Sequence, residues 1–192
     1  IKLPLFGNSY RDFLVLKKTN SFHQNLKNIN VSKVNTFFNP IKIQNIDNND
    51  DNIIKLKDRE IDICFLGTTQ YDISSTAGKL ITENKTKALE IIENLRNKYK
   101  IITGRVNYAD YVNTISNSKI VISSQGWGEF SYKDYEALFY GCIVIKNCDY
   151  KLKSEPNIYD NVIYCDFEHN NLIEIIDSIL QNTDPAALDS LS

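Results

Sequence analysis

Apolar residues along this chain fall into short β-branched runs separated by stretches of helical spacing. Residues 61–66 (IDICFL), 100–103 (KIIT), 119–123 (KIVIS), 142–146 (CIVIK) and 162–167 (VIYCDF) have the length and composition of buried strands. Gly67 and Gly104 close the first two. Between the runs, residues 87–99 carry Ala88, Ile91, Ile92 and Leu95 at helical intervals, and residues 108–115 repeat the pattern. Residues 132–140 open a third helix, and residues 171–180 align Leu172, Ile175, Ile176 and Ile179 on one face of a fourth. The order β-α-β-α-β-α-β-β-α predicts an α/β fold, a Rossmann-like parallel sheet with helices on both faces, because parallel strands need crossovers of this length.

Upstream the pattern changes. Residues 12–16 (DFLVL) suit a strand, 22–29 a short helix, and 31–38 a further strand ending at Asn39-Pro40. Residues 45–51 (NIDNNDD) have no apolar anchor and suit a solvated linker. The expected organisation is a tail of a preceding domain at 1–40, a linker at 41–58, the α/β domain at 59–182 and a short tail at 183–192.

Composition narrows the function classes. With 192 residues, 42% of them hydrophobic, the chain has enough material for a real core, and a net charge of -2 gives no electrostatic footprint for nucleic acid. No apolar run nears the ~20 residues of a membrane span. Cys64, Cys142, Cys148 and Cys165 stand singly in apolar runs without zinc-type spacing, which points to buried thiols in a reducing compartment. His23 and His169 have no neighbouring ligand-type residues, so no metal site is expected. The chain starts at Ile1 and has no methionine, so it is expected to be a piece of something longer. The sequons at Asn30 and Asn84 are too common a pattern to indicate a secretory route.

Candidate chemistry concentrates in residues 118–147, which read as strand, glycine loop, helix, glycine and strand. Such a junction is where parallel sheets bind nucleotides. Gly126 and Gly128 either let backbone amides approach a phosphate or merely turn the chain. Ser131 stands at an N-cap position and serves the helix, a phosphate or both. Glu136 lies in the first turns of the helix, as a two-hydroxyl acceptor or a solvated residue, and Lys133 one turn earlier is a phosphate ligand or a surface lysine. Two more loops follow strand ends on the same sheet edge, Gly67-Thr68-Thr69 and Gly104-Arg105. Arg105 is either a contact for a diphosphate or base, or a surface ion pair. Trp127 and Tyr71 are candidates for stacking on a base or sugar, against ordinary packing.

The spacing Gly126-x4-Ser131-x-Lys133-x-x-Glu136-Ala137-Leu138-x-x-Gly141-Cys142-Ile143-x-Ile145 resembles the C-terminal motif of exostosin-like glycosyltransferases. It is also similar to the wider family-1-like group with two Rossmann-type domains, the GT-B fold. The resemblance spans most of residues 12–180 as a pattern and is specific only over residues 118–146. It implies the C-terminal, donor-binding half of a GT-B enzyme that moves a sugar from a nucleotide-diphosphate-sugar to a glycan, lipid or protein hydroxyl, without a metal. By this resemblance Glu136 binds the ribose hydroxyls, the glycine loop approaches the diphosphate, and Lys133 stands where the exostosin pattern has arginine. Glu129 and Glu136 are separated by six residues, not the seven of retaining members, and with the exostosin likeness this implies inversion. The acceptor-activating base usually comes from the other domain, so the catalytic residue is unknown. Two rival readings stay open: a non-catalytic nucleotide- or protein-binding module on the same fold, and a response-regulator-like or flavodoxin-like domain, disfavoured by the lack of an acidic pair after the first strand.

Overall fold

The computed structural model describes residues 53–124, 126, 131–147, 152, 159–165 and 171–181. The expected elements of residues 12–38, the tail 183–192, and Gly128, Trp127, Glu129, Cys148, His23 and His169 lie outside the described residues.

Among the described residues the elements in chain order are β1 (Ile61–Leu66), α1 (Thr76–Glu93), β2 (Ile101–Gly104), α2 (Tyr108–Ser116), β3 (Ser118–Ser123), α3 (Tyr132–Phe139), β4 (Ile143–Asn147), β5 (Val162–Cys165) and α4 (Leu172–Gln181). Short 3-10 turns at Leu56–Asp58 and Tyr159–Asn161 introduce β1 and β5. The five strands form one wholly parallel sheet in the order β2-β1-β3-β4-β5. This is the Rossmann-like α/β architecture that the alternation predicts.

Period-two alternation of side chains divides the sheet into two packed faces. Ile63, Phe65, Ile120, Ile122, Ile143 and Ile145 point to one face and pack with Ala88 and Ile92 of α1, with Leu95 of the turn after it, and with Leu172, Ile176 and Ile179 of α4. Cys64, Leu66, Val121 and Val144 point to the other, against Ile115 of α2 and Ala137 of α3. The chain therefore leaves β1 for β2 over one face and returns from β2 to β3 over the other. That reversal is a topological switch point between β1 and β3, at whose carboxyl ends doubly wound sheets take their ligands.

Two boundaries differ from the sequence reading. The helix expected over 87–99 occupies Thr76–Glu93, because Ser75 caps it by accepting from Gly78 N at 3.0 Å and Ile81 is buried about two turns before the apolar run at Ala88. Gly78 is required there, since a Cβ would lie 1.9 Å from Asp72 O. Residues 95–99 turn instead, with Tyr99 N donating to Leu95 O at 3.0 Å. At the other end of the sheet, the stretch read as linker finishes inside the fold. Leu56 is buried in the core, and the buried Arg59 donates to Ser118 O at 2.7 Å, to Ile54 O at 2.9 Å and to Tyr140 O. One guanidinium thereby ties β3 and the end of α3 to the start of β1.

Cys64, Cys142 and Cys165 are buried free thiols, as their apolar context predicts. Burial pushes the Cys64 thiol up to about 11 and the Cys142 thiol up to about 12, so both stay protonated and unreactive.

Candidate functional site

The carboxyl edge of the sheet collects the candidate residues because each strand ends there and each following helix begins there. At the end of β1, Gly67 adopts φ +125°, a left-handed conformation that L side chains rarely adopt, and its N–H donates to Gly104 O at 2.8 Å. The loops after β1 and β2 are thus laced together. Gly104 is also left-handed, at φ +102°. Gly126, after β3, differs: its backbone is not left-handed and a Cβ there would meet nothing within 4 Å. Neither turn geometry nor contact with described residues demands glycine at 126.

Helix α3 follows β3 at this switch point. Ser131 is its N-cap and forms a capping box with Asp134, accepting from Lys133 N while its own N–H donates to Asp134, each at 3.3 Å. Of the roles open to Ser131, the structure realises the cap. Lys133, half-buried, extends from α3 to the end of β1 and donates to Leu66 O, the last carbonyl of that strand. Its ammonium would sit 3.7 Å from a Cβ placed on Gly67 and lies 5.7 Å from the Phe65 ring centre. Burial lowers its pKa to about 8, reinforced by the Lys85 charge and opposed in part by Asp134.

Glu136, one turn further along α3, is half-buried and accepts a hydrogen bond from the Tyr111 hydroxyl of α2. Burial, then the bond to Glu136, pushes the Tyr111 phenol well up, so it remains a donor. The exposed Tyr108 ring stacks on Tyr111 with centroids 6.3 Å apart. Thr68 and Arg105 are exposed at the same edge, and Arg105 forms no ion pair with a described residue. Tyr71 is half-buried, its hydroxyl accepting from Lys85 at 2.8 Å, which is a packing role. Lys133, Gly67, Thr68, Gly126, Ser131 and Glu136 are therefore brought to one edge, whereas Arg105 stands on the neighbouring loop with no hydrogen bond or ion pair of its side chain to a described residue.

Three residues of this edge are not evident from the glycine loop. Asp134 is completely buried and accepts from Lys146 at 2.6 Å, from Tyr159 at 2.8 Å and from Ser123. Lys146, also completely buried, is its ion-pair partner. Lys85, only 9% exposed, donates from α1 to Thr68 O at 3.0 Å as well as to Tyr71, and burial lowers its pKa. Each had a signal in the chain. A lysine inside the strand run CIVIK needs a counter-charge, the spacing Ser131-x-x-Asp134 is a capping-box pattern, and Lys85 falls on the buried stripe Ile81, Lys85, Ala88, Ile92 of α1.

Among the described residues no group of three or more His, Cys, Asp or Glu is placed to hold a metal ion, and no helix is long and apolar enough to cross a membrane. In comparisons with known proteins, no family model, no curated protein and no solved structure matches this chain.

Proposed function

We propose that this chain supplies the donor-binding half of a glycosyltransferase that uses a nucleotide-diphosphate-sugar. The observation that carries the reading is the pairing of Lys133 and Glu136 on α3. The ammonium reaches over the end of β1 at the switch point of the sheet, and the carboxylate follows one turn later. A diphosphate between Gly67 and Gly126 meets Lys133 and the positive end of the α3 dipole, both favourable to anions. The ribose then falls at Glu136, whose carboxylate the Tyr111 hydroxyl orients and which keeps further lone pairs for sugar hydroxyls. Thr68 and Arg105 border the same opening.

In the inverting reaction the acceptor oxygen attacks the anomeric carbon as the bond to the diphosphate breaks. A base takes the acceptor proton, and negative charge collects on the leaving nucleoside diphosphate. Lys133 and the α3 N-terminus stabilise that charge. The base belongs to the acceptor side, and no described residue is assigned to it.

Titration calorimetry with a panel of nucleoside diphosphates tests this. One of them binds, and Glu136→Ala weakens it by about tenfold or more, the scale of a lost charge-assisted hydrogen bond. A panel without a binder, or a Glu136→Ala variant that binds as the parent does, refutes the assignment. The strand order supports a second reading, since β2-β1-β3-β4-β5 is also the order of flavodoxin-like mononucleotide binders. In that case the chain is a binding module, and a nucleoside diphosphate binds while no sugar is transferred from any nucleotide-sugar by the complete protein.

A further inference from the structure

Two ammoniums meet at the end of β1 from opposite sides of the sheet. Lys133 arrives from α3 and bonds Leu66 O, and Lys85 arrives from α1 and bonds Thr68 O at 3.0 Å. The two carbonyls flank Gly67, so their residues lie at most about 7 Å apart along the chain. Lys85 is 9% exposed and Lys133 half-buried, yet neither forms an ion pair with a described carboxylate. The nearest buried acid, Asp134, already serves Lys146 at 2.6 Å, and Asp72 is exposed and holds Ser74 N at 2.9 Å. Neutral oxygens alone are poor compensation for two desolvated charges, and the charges also repel each other. What completes such a site is an anion carrying more than one negative charge.

We infer that Lys85 and Lys133 form a two-lysine clamp for a phosphoryl dianion, closing over Gly67 from the two helical layers. The clamp deepens the donor reading by adding a ligand, Lys85, that the glycine-loop motif does not contain. On binding, each ammonium exchanges or shares its carbonyl bond for a phosphate oxygen, and Tyr71, 4.8 Å from Lys85 to its ring centre, keeps the Lys85 stem in place. Gly67 keeps the floor of the clamp free of a side chain.

The test is calorimetry on the full chain with inorganic pyrophosphate and, separately, a nucleoside diphosphate, for the parent, Lys85→Met and Lys133→Met. Loss of about tenfold or more in pyrophosphate affinity in each variant supports the clamp. If those losses occur but no nucleoside diphosphate binds better than pyrophosphate, the clamp stands and the donor reading falls. If a nucleoside diphosphate binds and Lys85→Met leaves its affinity unchanged, the clamp falls and the donor reading stands. Absence of any pyrophosphate binding to the parent overturns the clamp. Amine-reactive labelling of the parent, mapped by mass spectrometry, needs no variant: pyrophosphate is expected to shield Lys85 and Lys133 but not the exposed Lys79 and Lys87. Equal labelling of Lys85 with and without pyrophosphate overturns the clamp.

Discussion

Lys146 and Lys85, both buried, and the half-buried Lys133 lie near one edge of the same sheet, in opposite electrostatic circumstances. Lys146 is completely buried and bonded to an equally buried Asp134, whose oxygens also take Tyr159, Ser123 and the Ser131 amide. Every polar group in that cluster has a partner, and the cluster pins the start of α3 to β3 and β4. Lys85 and Lys133 have carbonyls and a phenol but no acid among the described residues. The first arrangement is complete within the protein and belongs to the fold. The second has no carboxylate partner among the described residues, and the proposed clamp gives it an anion.

The difference can be broken most severely at Asp134. Asp134→Ala leaves the Lys146 ammonium buried without a counter-charge and is expected to cost about 3–5 kcal/mol in urea unfolding. The double variant Asp134→Leu/Lys146→Leu should recover most of that loss, because a well-packed apolar pair avoids the desolvation of both charges. A single variant that unfolds at the parent's denaturant midpoint would remove the contrast. Ser131→Ala comes next, at about 1 kcal/mol, since it deletes the side-chain half of the capping box and leaves the ion pair intact.

The smallest effect is expected at Lys133, with the opposite sign. Lys133→Met should leave the unliganded protein as stable as the parent or more so, by a few tenths to about 1 kcal/mol, while phosphate affinity falls. Acidity sharpens this comparison. The folded pKa of Lys133 is lowered to about 8 from an ordinary 10.5, so between those values the unfolded chain binds the proton and the folded chain does not. The penalty for burying the charge is full below about 8 and fades as pH rises towards 10.5, so this residue makes stability rise with pH across that window. Denaturation curves at the two ends of the window should differ for the parent and lose that contribution in Lys133→Met.

Much of the fold was legible because local pattern and tertiary role coincide. The run IDICFL is β1 to the residue, and the strand read at 119–123 begins only one residue earlier, at Ser118. Strands buried on both faces announce themselves by continuous β-branched residues, and here both faces are covered. The start of α1 was not legible in that way. Residues 76–86 are rich in Thr, Lys, Glu and Asn, so apolar spacing is weak, and what marks the helix is the Ser75 cap and Ile81. Within the site, Glu136, Lys133 and Ser131 follow from their spacing after the glycine loop. Asp134 reads as another polar helix residue until β4 and the turn at Tyr159 bring Lys146 and a phenol against it.

By itself, then, the chain determined the alternation of elements, the parallel sheet and the short arc in which polar chemistry gathers, since these depend on periodicity and on neighbours a few residues away. Only the tertiary structure decided which lysines are paired. Lys85 and Lys133 are 48 positions apart and meet at β1 because the crossovers of α1 and α3 run over opposite faces of the sheet. Whether a charge is compensated depends on contacts between segments remote in sequence, and composition and spacing carry no record of those contacts.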